Sequence, residues 1–269
     1  SIRMAHDLGL NYVSPSGTGV YIAILVAAQA ELKSPRAPWY LGVSQEEAPA
    51  LLGQVEKIRE QSGTPPPVIA ANLRAHSLED SYPYLEKLAK TSANIPEQFR
   101  PLVPVFVPLS NIDSTAQDAG FIESRHDVEI GIGVQSVSRL SQQAWEDKKG
   151  AATGEETAQM LKEAGASWTL AGHSEQRQDG KDSQTIKQEL SNAFEAELGA
   201  IHCIGETAQE RDRGFTQDVI AAQLTQELLP HKALLQQLLK TLTPQEFRKR
   251  FAIAYEPVWA IGTGKTPTP

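Results

Sequence analysis

The sequence predicts an α/β fold in which strand–helix units build a parallel sheet. From residue 68 onward, short apolar runs rich in Val and Ile alternate with segments of helical periodicity. The runs mostly lack alternation between apolar and polar residues, which is typical of parallel strands covered on both faces. Strand–helix alternation at these spacings indicates βα units. A chain of 269 residues can also bury a large core without disulfides.

The individual elements are assigned in chain order. The predicted strands are residues 67–71, 103–107, 128–134, 168–172, 200–205 and 251–255. The predicted helices are residues 78–90, 155–164, 184–198 and 218–229. A Thr-x-x-Glu pattern from Thr153 to Glu156 predicts a capping box at the start of the second helix.

A polar residue closes each predicted strand. These residues are Asn72, Ser110, Gln135, His173, Glu206 and Glu256. Polar strand ends are common one by one, because loops lie at the surface. In a parallel barrel, however, all six ends lie on one rim, where the chemistry of such folds takes place. The set therefore indicates a site.

Composition excludes several classes of function. The formal net charge of −8 argues against nucleic acid or an anionic membrane as the main partner. A single cysteine excludes an internal disulfide framework and a Cys-rich zinc site. The longest apolar run, residues 19–28, is too short to cross a bilayer as a helix. Residues 28–30 resemble a signal-peptidase site, but the segment before them carries little positive charge, and a soluble cytoplasmic protein is predicted.

Several motifs resemble those of the triosephosphate isomerase family. Residues 254–266, AYEPVWAIGTGKT, resemble the end of the sixth strand and the closing lid of that family. Residues 171–177 resemble its strand-4 motif and residues 203–207 its strand-5 motif. Residues 150–155 resemble its loop-3 motif, and residues 72–74 are similar to the Asn-x-Lys after its first strand. The motifs also follow one another in the family's order.

The resemblance extends over residues 67–269 and implies a (β/α)8 barrel. Strands 1–6 of such a barrel are visible, and the phosphate motifs after strands 7 and 8 are not, so the sequence predicts an incomplete barrel of weak stability and little activity. Residues 1–66 form an N-terminal extension of unknown role. An alternative is a circular permutant, in which residues 21–43 would lie between strands 6 and 1.

The resemblance also implies roles for individual residues. Glu256 would be the catalytic base and His173 the electrophile. Asn72 and Arg74 would bind the substrate, and Arg74 would supply the cation. Gly262 would provide a lid amide for the phosphate. The family has Lys at the place of Arg74, and Arg is planar and larger, so this departure puts catalysis in question.

Three supporting residues complete the implied site. Ser174 follows the electrophile, and Glu175 is the family's partner for the cation, so that an Arg74–Glu175 pair is expected. Thr153 matches a threonine that family members insert into a neighbouring subunit, which implies a homodimer. Gln176 replaces the first arginine of the family's strand-4 motif, while Arg177 is retained.

The implied function is the interconversion of a ketose and an aldose phosphate, in particular dihydroxyacetone phosphate and glyceraldehyde 3-phosphate. This activity belongs to glycolysis and gluconeogenesis. The only partner implied besides a second subunit is the small sugar-phosphate substrate. Proton transfer through an enediolate requires a base, an electrophile, a cation and the exclusion of water. No metal or organic cofactor is expected.

Other interpretations stay open. A degenerate barrel could serve as a binding or assembly module, or the site could isomerise a different small sugar phosphate. Residues 262–266 superficially resemble a nucleotide-binding P-loop, but Trp259 stands where that motif needs Gly, and Pro267 prevents the required helix. His202 and Cys203 could suggest metal or thiol chemistry; without further ligands at metal spacing, a buried strand cysteine is favoured.

Overall fold

The structure is a computed structural model that describes residues 12–13, 68–73, 78–97, 100–148 and 151–260. Its strands are β1 (Tyr12–Val13), β2 (Val68–Ile69), β3 (Ala71–Asn72), β4 (Val105–Val107), β5 (Ile132–Val134), β6 (Trp168–Ala171), β7 (Gly199–Ile204) and β8 (Phe251–Tyr255). Strands β3 to β8 form one six-stranded sheet in chain order, and every neighbouring pair is parallel. The sheet curls into a half-barrel, which confirms the predicted α/β class.

Two residues of the predicted N-terminal extension contribute a strand. Strand β1 pairs in parallel with β2, with Tyr12 opposite Val68 and Val13 opposite Ile69. Cα atoms of β1 also come within 8 Å of β8. The first predicted strand is therefore divided into two strands: β2, which pairs with β1, and β3, which pairs with β4. The segment 21–43, which the permutant hypothesis places here, lies outside the described residues.

Helices connect successive strands of the half-barrel. They are α1 (Leu78–Ala93), α2 (Ile112–His126), α3 (Gln142–Asp147), α4 (Ala158–Glu163), α5 (Ser174–Gln178), α6 (Ser183–Glu195), α7 (Ala208–Asp212), α8 (Thr216–Gln223), α9 (Lys232–Thr241) and α10 (Pro244–Phe247). Among the helices that the structure describes, none is both long and apolar enough for a membrane span.

The predicted start of α4, the helix before β6, is wrong by several residues. The N-cap of α4 is Thr157, whose hydroxyl accepts a hydrogen bond from the Met160 amide. Thr153, the predicted cap, lies in an exposed turn. Both residues are threonines, and Thr157 is the one whose side chain is fully buried against the barrel. Tertiary packing therefore selects the second of two possible caps.

Two apolar layers hold the half-barrel together. One layer lies between the sheet and the helices and includes Ile69, Val105, Leu85 and Ile122. Within the part of the chain that the structure describes, the other layer consists of strand residues with Ala70 and Leu102, and it lies on the opposite, concave face of the sheet. Its two aromatic members are Phe106 and Trp168. Alternate residues of one strand enter opposite layers, as the period of a strand requires.

A substitution of Phe106 tests whether this side chain fills the layer on the concave face of the sheet. We expect Phe106→Ala to lower the free energy of unfolding by about 3–5 kcal/mol, because a fully buried ring leaves a cavity. The matched control is Phe121→Ala on α2, where the ring is 57% exposed and should contribute little. Urea unfolding of the full chain measures both. An equal effect of the two variants would contradict the assignment.

Candidate active site

A histidine and a glutamate meet at the carboxyl end of the sheet. His173 comes two residues after β6, and Glu256 comes directly after β8. Both side chains are about 95% buried, and His173 Nε2 lies 3.6 Å from Glu256 Oε2. The structure thus brings together the two residues that the sequence proposes as electrophile and base.

The backbone fixes which nitrogen of His173 carries a proton. His173 is the N-cap of α5, and its Nδ1 accepts a hydrogen bond from the Glu175 amide at 3.3 Å. A ring nitrogen that accepts is unprotonated, so the neutral ring carries its hydrogen on Nε2. That N–H is on the side of Glu256. The arrangement supplies a neutral hydrogen-bond donor beside a carboxylate.

Glu256 is held by main-chain contacts on two sides. Its own amide donates to the Ile204 carbonyl at 2.7 Å, and the Ser174 amide donates to its Oε2 at 3.4 Å. The Glu256 carbonyl also passes so close to Gly205 that a Cβ there would be 2.1 Å from it. Only glycine permits this approach. The Ser174 hydroxyl is buried beside the pair, without a hydrogen-bond partner among the described residues.

Asn72 is oriented by Gln135, one of the six polar residues that close the predicted strands, and through it by Gln176. Gln135 Nε2 donates to Asn72 Oδ1 at 2.9 Å. Gln176 Nε2 in turn donates to the Gln135 carbonyl at 3.0 Å. Because its oxygen accepts from Gln135, the Asn72 amide directs its NH2 group elsewhere, as a donor. Gln176, a departure from the family motif, thus supports Asn72 through Gln135.

A second carboxylate anchors the beginning of the segment interpreted as a lid. Glu206 is buried and accepts hydrogen bonds from the Tyr255 hydroxyl and from Trp259 Nε1, the latter at 2.8 Å. Burial and the hydrogen bond to Glu206 raise the pKa of Tyr255, so its hydroxyl stays a donor. The Arg211 guanidinium stacks 3.8 Å from the Trp259 ring centroid. These contacts tie residues 258–260 to the loop after β7.

The remaining predicted residues divide into two groups. Arg74 and Gly262 lie outside the described residues, and with them the expected Arg74–Glu175 pair and the body of the lid. Thr153 is exposed, and the Glu175 carboxylate is 45% exposed, 3.8 Å from His173 Nδ1. Within the ranges that the structure describes, no three His, Cys, Asp or Glu side chains are grouped as metal ligands would be. Cys203 is buried, which raises the pKa of its thiol.

The fold and site define a class: an α/β protein with a parallel half-barrel sheet and an imidazole and a carboxylate at the carboxyl edge of that sheet. Comparison with known proteins makes the assignment specific. The model of the triosephosphate isomerase family matches residues 67–269. The chain therefore belongs to the triosephosphate isomerase family. The predicted family membership is confirmed.

Individual relatives agree with this assignment. A triosephosphate isomerase of Chloroherpeton thalassium is 37% identical over 139 residues, covering 51% of this chain and 50% of the relative. One from Alkaliphilus metalliredigens is 45% identical over 123 residues, covering 45% of this chain and 44% of the relative. The crystal structure of the Bartonella henselae enzyme matches with a TM-score of 0.55 and 28% identity, over 72% of this chain and 68% of that one. The chain spans about half the length of the curated relatives it matches.

The close approach at Gly205 can be tested by adding one methyl group. Gly205→Ala should displace the Glu256 backbone, because the new Cβ would overlap its carbonyl. We expect a loss of about 1–3 kcal/mol of unfolding free energy. In the matched control, Gly120→Ala on α2, the Cβ meets nothing within 4 Å and should stabilise the helix slightly. Thermal unfolding compares the two, and unchanged stability of Gly205→Ala would disprove the contact.

Proposed function

We propose that this site isomerises a small sugar phosphate between its ketose and aldose forms. The observation that carries the proposal is the buried Glu256 carboxylate beside the His173 Nε2–H. A carboxylate can remove a proton from the carbon next to a carbonyl group only if the developing oxyanion is stabilised. The adjacent neutral imidazole donor supplies that stabilisation. Membership of a family of isomerases supports the same reaction.

Each proton in the proposed reaction has a defined donor and acceptor. Glu256 removes a proton from the hydroxyl-bearing carbon of the ketose, and electrons move into the carbonyl oxygen. The His173 Nε2–H gives its proton to that oxygen, and His173 takes up the proton of the neighbouring hydroxyl group in return, so that the negative charge of the enediolate passes to the other oxygen. Glu256 then returns its proton to the neighbouring carbon, which gives the aldose. The reaction balances without an oxidant, a reductant or a cofactor.

The substrate would be held by groups around this pair. The donor NH2 of Asn72, oriented by Gln135, is suited to a substrate oxygen. We assign the cationic role to Arg74 and phosphate binding to the Gly262 amide, as the family motifs imply. The Glu206–Trp259 hydrogen bond would hold the base of the lid over the site. The substrates of choice are dihydroxyacetone phosphate and glyceraldehyde 3-phosphate, with a cytoplasmic homodimer as the working assembly and Thr153 at its interface.

The decisive variant of this reaction is Glu256→Gln. The amide has the size of the carboxylate but cannot accept the substrate proton, so turnover of glyceraldehyde 3-phosphate should fall by roughly 10²–10⁴-fold. Glu129→Gln, at an exposed carboxylate, is the matched control and should keep full activity. A coupled assay with the full chain measures both variants.

Two outcomes would contradict the proposal. Turnover by Glu256→Gln equal to that of the unmodified chain would exclude Glu256 as the base. A folded chain that binds a triose phosphate and never converts it would favour a binding module instead.

A further inference from the structure

A buried ionic cluster joins the ends of two strands behind the candidate active site. Its centre is Glu227, whose carboxylate is completely buried in a single π-helical turn, Leu224–Leu228. Arg177 donates one hydrogen bond to each oxygen of this carboxylate, at 2.8 and 2.7 Å. His202 Nε2 and the Ser183 hydroxyl complete the cluster, each 2.7 Å from one oxygen. The reaction proposed above uses none of these four residues.

Arg177 also holds the backbone next to the catalytic pair. Its Nε donates to the Gly172 carbonyl and its Nη2 to the Cys203 carbonyl, both at 2.8 Å. Gly172 directly precedes His173 and has a φ of 72°, which favours glycine. A Cβ at Gly172 would lie 2.6 Å from Arg177 Nη2, so the guanidinium uses the space that the missing side chain leaves. One planar group therefore ties the end of β6 to the end of β7.

The carboxylate of Glu227 keeps this guanidinium in place. Burial alone would raise the pKa of Glu227, but the hydrogen bonds from Arg177 and His202 outweigh burial and lower it to about 2. Glu227 is therefore charged at neutral pH and balances Arg177. Removal of one partner of a buried pair is costly, because the other charge is left without compensation.

His202 is a neutral hydrogen-bond donor to the Glu227 carboxylate. Its Nε2 faces an ionised oxygen and so carries the hydrogen, while its buried Nδ1 has no hydrogen-bond partner among the described residues. Burial lowers the pKa of His202, in keeping with a neutral ring. The histidine that sequence analysis set aside in the His202–Cys203 pair thus has a specific partner, 25 residues further along the chain.

We propose that His202 and Glu227 are positioning residues for His173, and that they act through the guanidinium of Arg177. With the cluster intact, the Gly172 carbonyl is fixed and the His173 Nε2–H stays on the side of Glu256. With the cluster broken, Arg177 loses its orientation, and the start of α5 moves relative to β8. The catalytic consequence of this proposal rests on the proposed function; the structural consequence does not.

The test compares two buried carboxylates in the full chain. Glu227→Gln removes the charge that orients Arg177. The control, Glu189→Gln, removes a carboxylate that is 2% exposed and pairs with Lys181 at 2.5 Å. Among the described residues, its hydrogen bonds reach neither Gly172 nor Cys203. A purely structural role predicts similar effects of the two variants.

Nitrogen-15 NMR of histidine-labelled protein measures the chemical shift of the His173 ring nitrogens, which depends on their surroundings. Its ring resonance can be assigned among the six histidines by the His173→Gln variant. We expect Glu227→Gln and His202→Leu to shift the His173 Nε2 resonance, and His202→Gln, which keeps a donor, to restore it. Glu189→Gln should leave it unchanged. In the isomerase assay, the first two variants should lower kcat about tenfold or more with little change in KM, since misplaced catalytic groups lose rate.

The outcomes separate the two proposals. An unshifted His173 resonance in folded Glu227→Gln protein, or an equal shift in Glu189→Gln, would overturn the positioning role whatever the activity. A shifted resonance in a chain that turns over no triose phosphate would support the positioning role and contradict the proposed function. If Glu227→Gln does not fold, the comparison of His202→Leu with His202→Gln decides the question.

Discussion

The register between β7 and β8 is the constraint on which the candidate active site depends. Ile204 lies opposite Tyr255, and the next amide, that of Glu256, donates to the Ile204 carbonyl. A shift of one residue would turn Glu256 to the other face of the sheet. Gly205 permits this register, because any side chain there would collide with the Glu256 carbonyl. The pairing of β7 with β8 therefore brings the Glu256 carboxylate to the His173 imidazole.

The surroundings of the pair then determine its chemistry. The Glu175 amide assigns the hydrogen of His173 to Nε2, and the Ser174 amide contacts the Glu256 carboxylate. On the outer side of the sheet, Arg177 holds the backbone before His173. Beside the loop after β7, Glu206 holds Trp259. The positions of Glu256, His173 and Trp259 are therefore fixed by contacts with the backbone and with other buried side chains.

Local patterns predicted the strands well and the supporting contacts poorly. Apolar runs such as residues 168–172 and 251–255 correspond closely to β6 and β8. A strand that is buried on both faces is a continuous apolar run, so the local sequence is enough to predict it. The sequence pattern does not predict helix α2, because Phe121 and other exposed residues obscure its helical periodicity. The Glu227–His202 contact could not be predicted, since it joins residues 25 positions apart through a π-helical turn. The choice of Thr157 over Thr153 as cap likewise depends on packing.

In the proposed reaction, Glu256 removes a proton from a carbon next to a carbonyl group. The most direct measurement follows dihydroxyacetone phosphate in D2O by proton NMR, in the presence of the full chain. We expect deuterium to enter the hydroxymethyl carbon, because a proton held by Glu256 exchanges with solvent before it returns. Loss of the hydroxymethyl proton signal at a rate proportional to protein concentration would support the claim. A folded, substrate-binding chain that leaves this signal unchanged would contradict it.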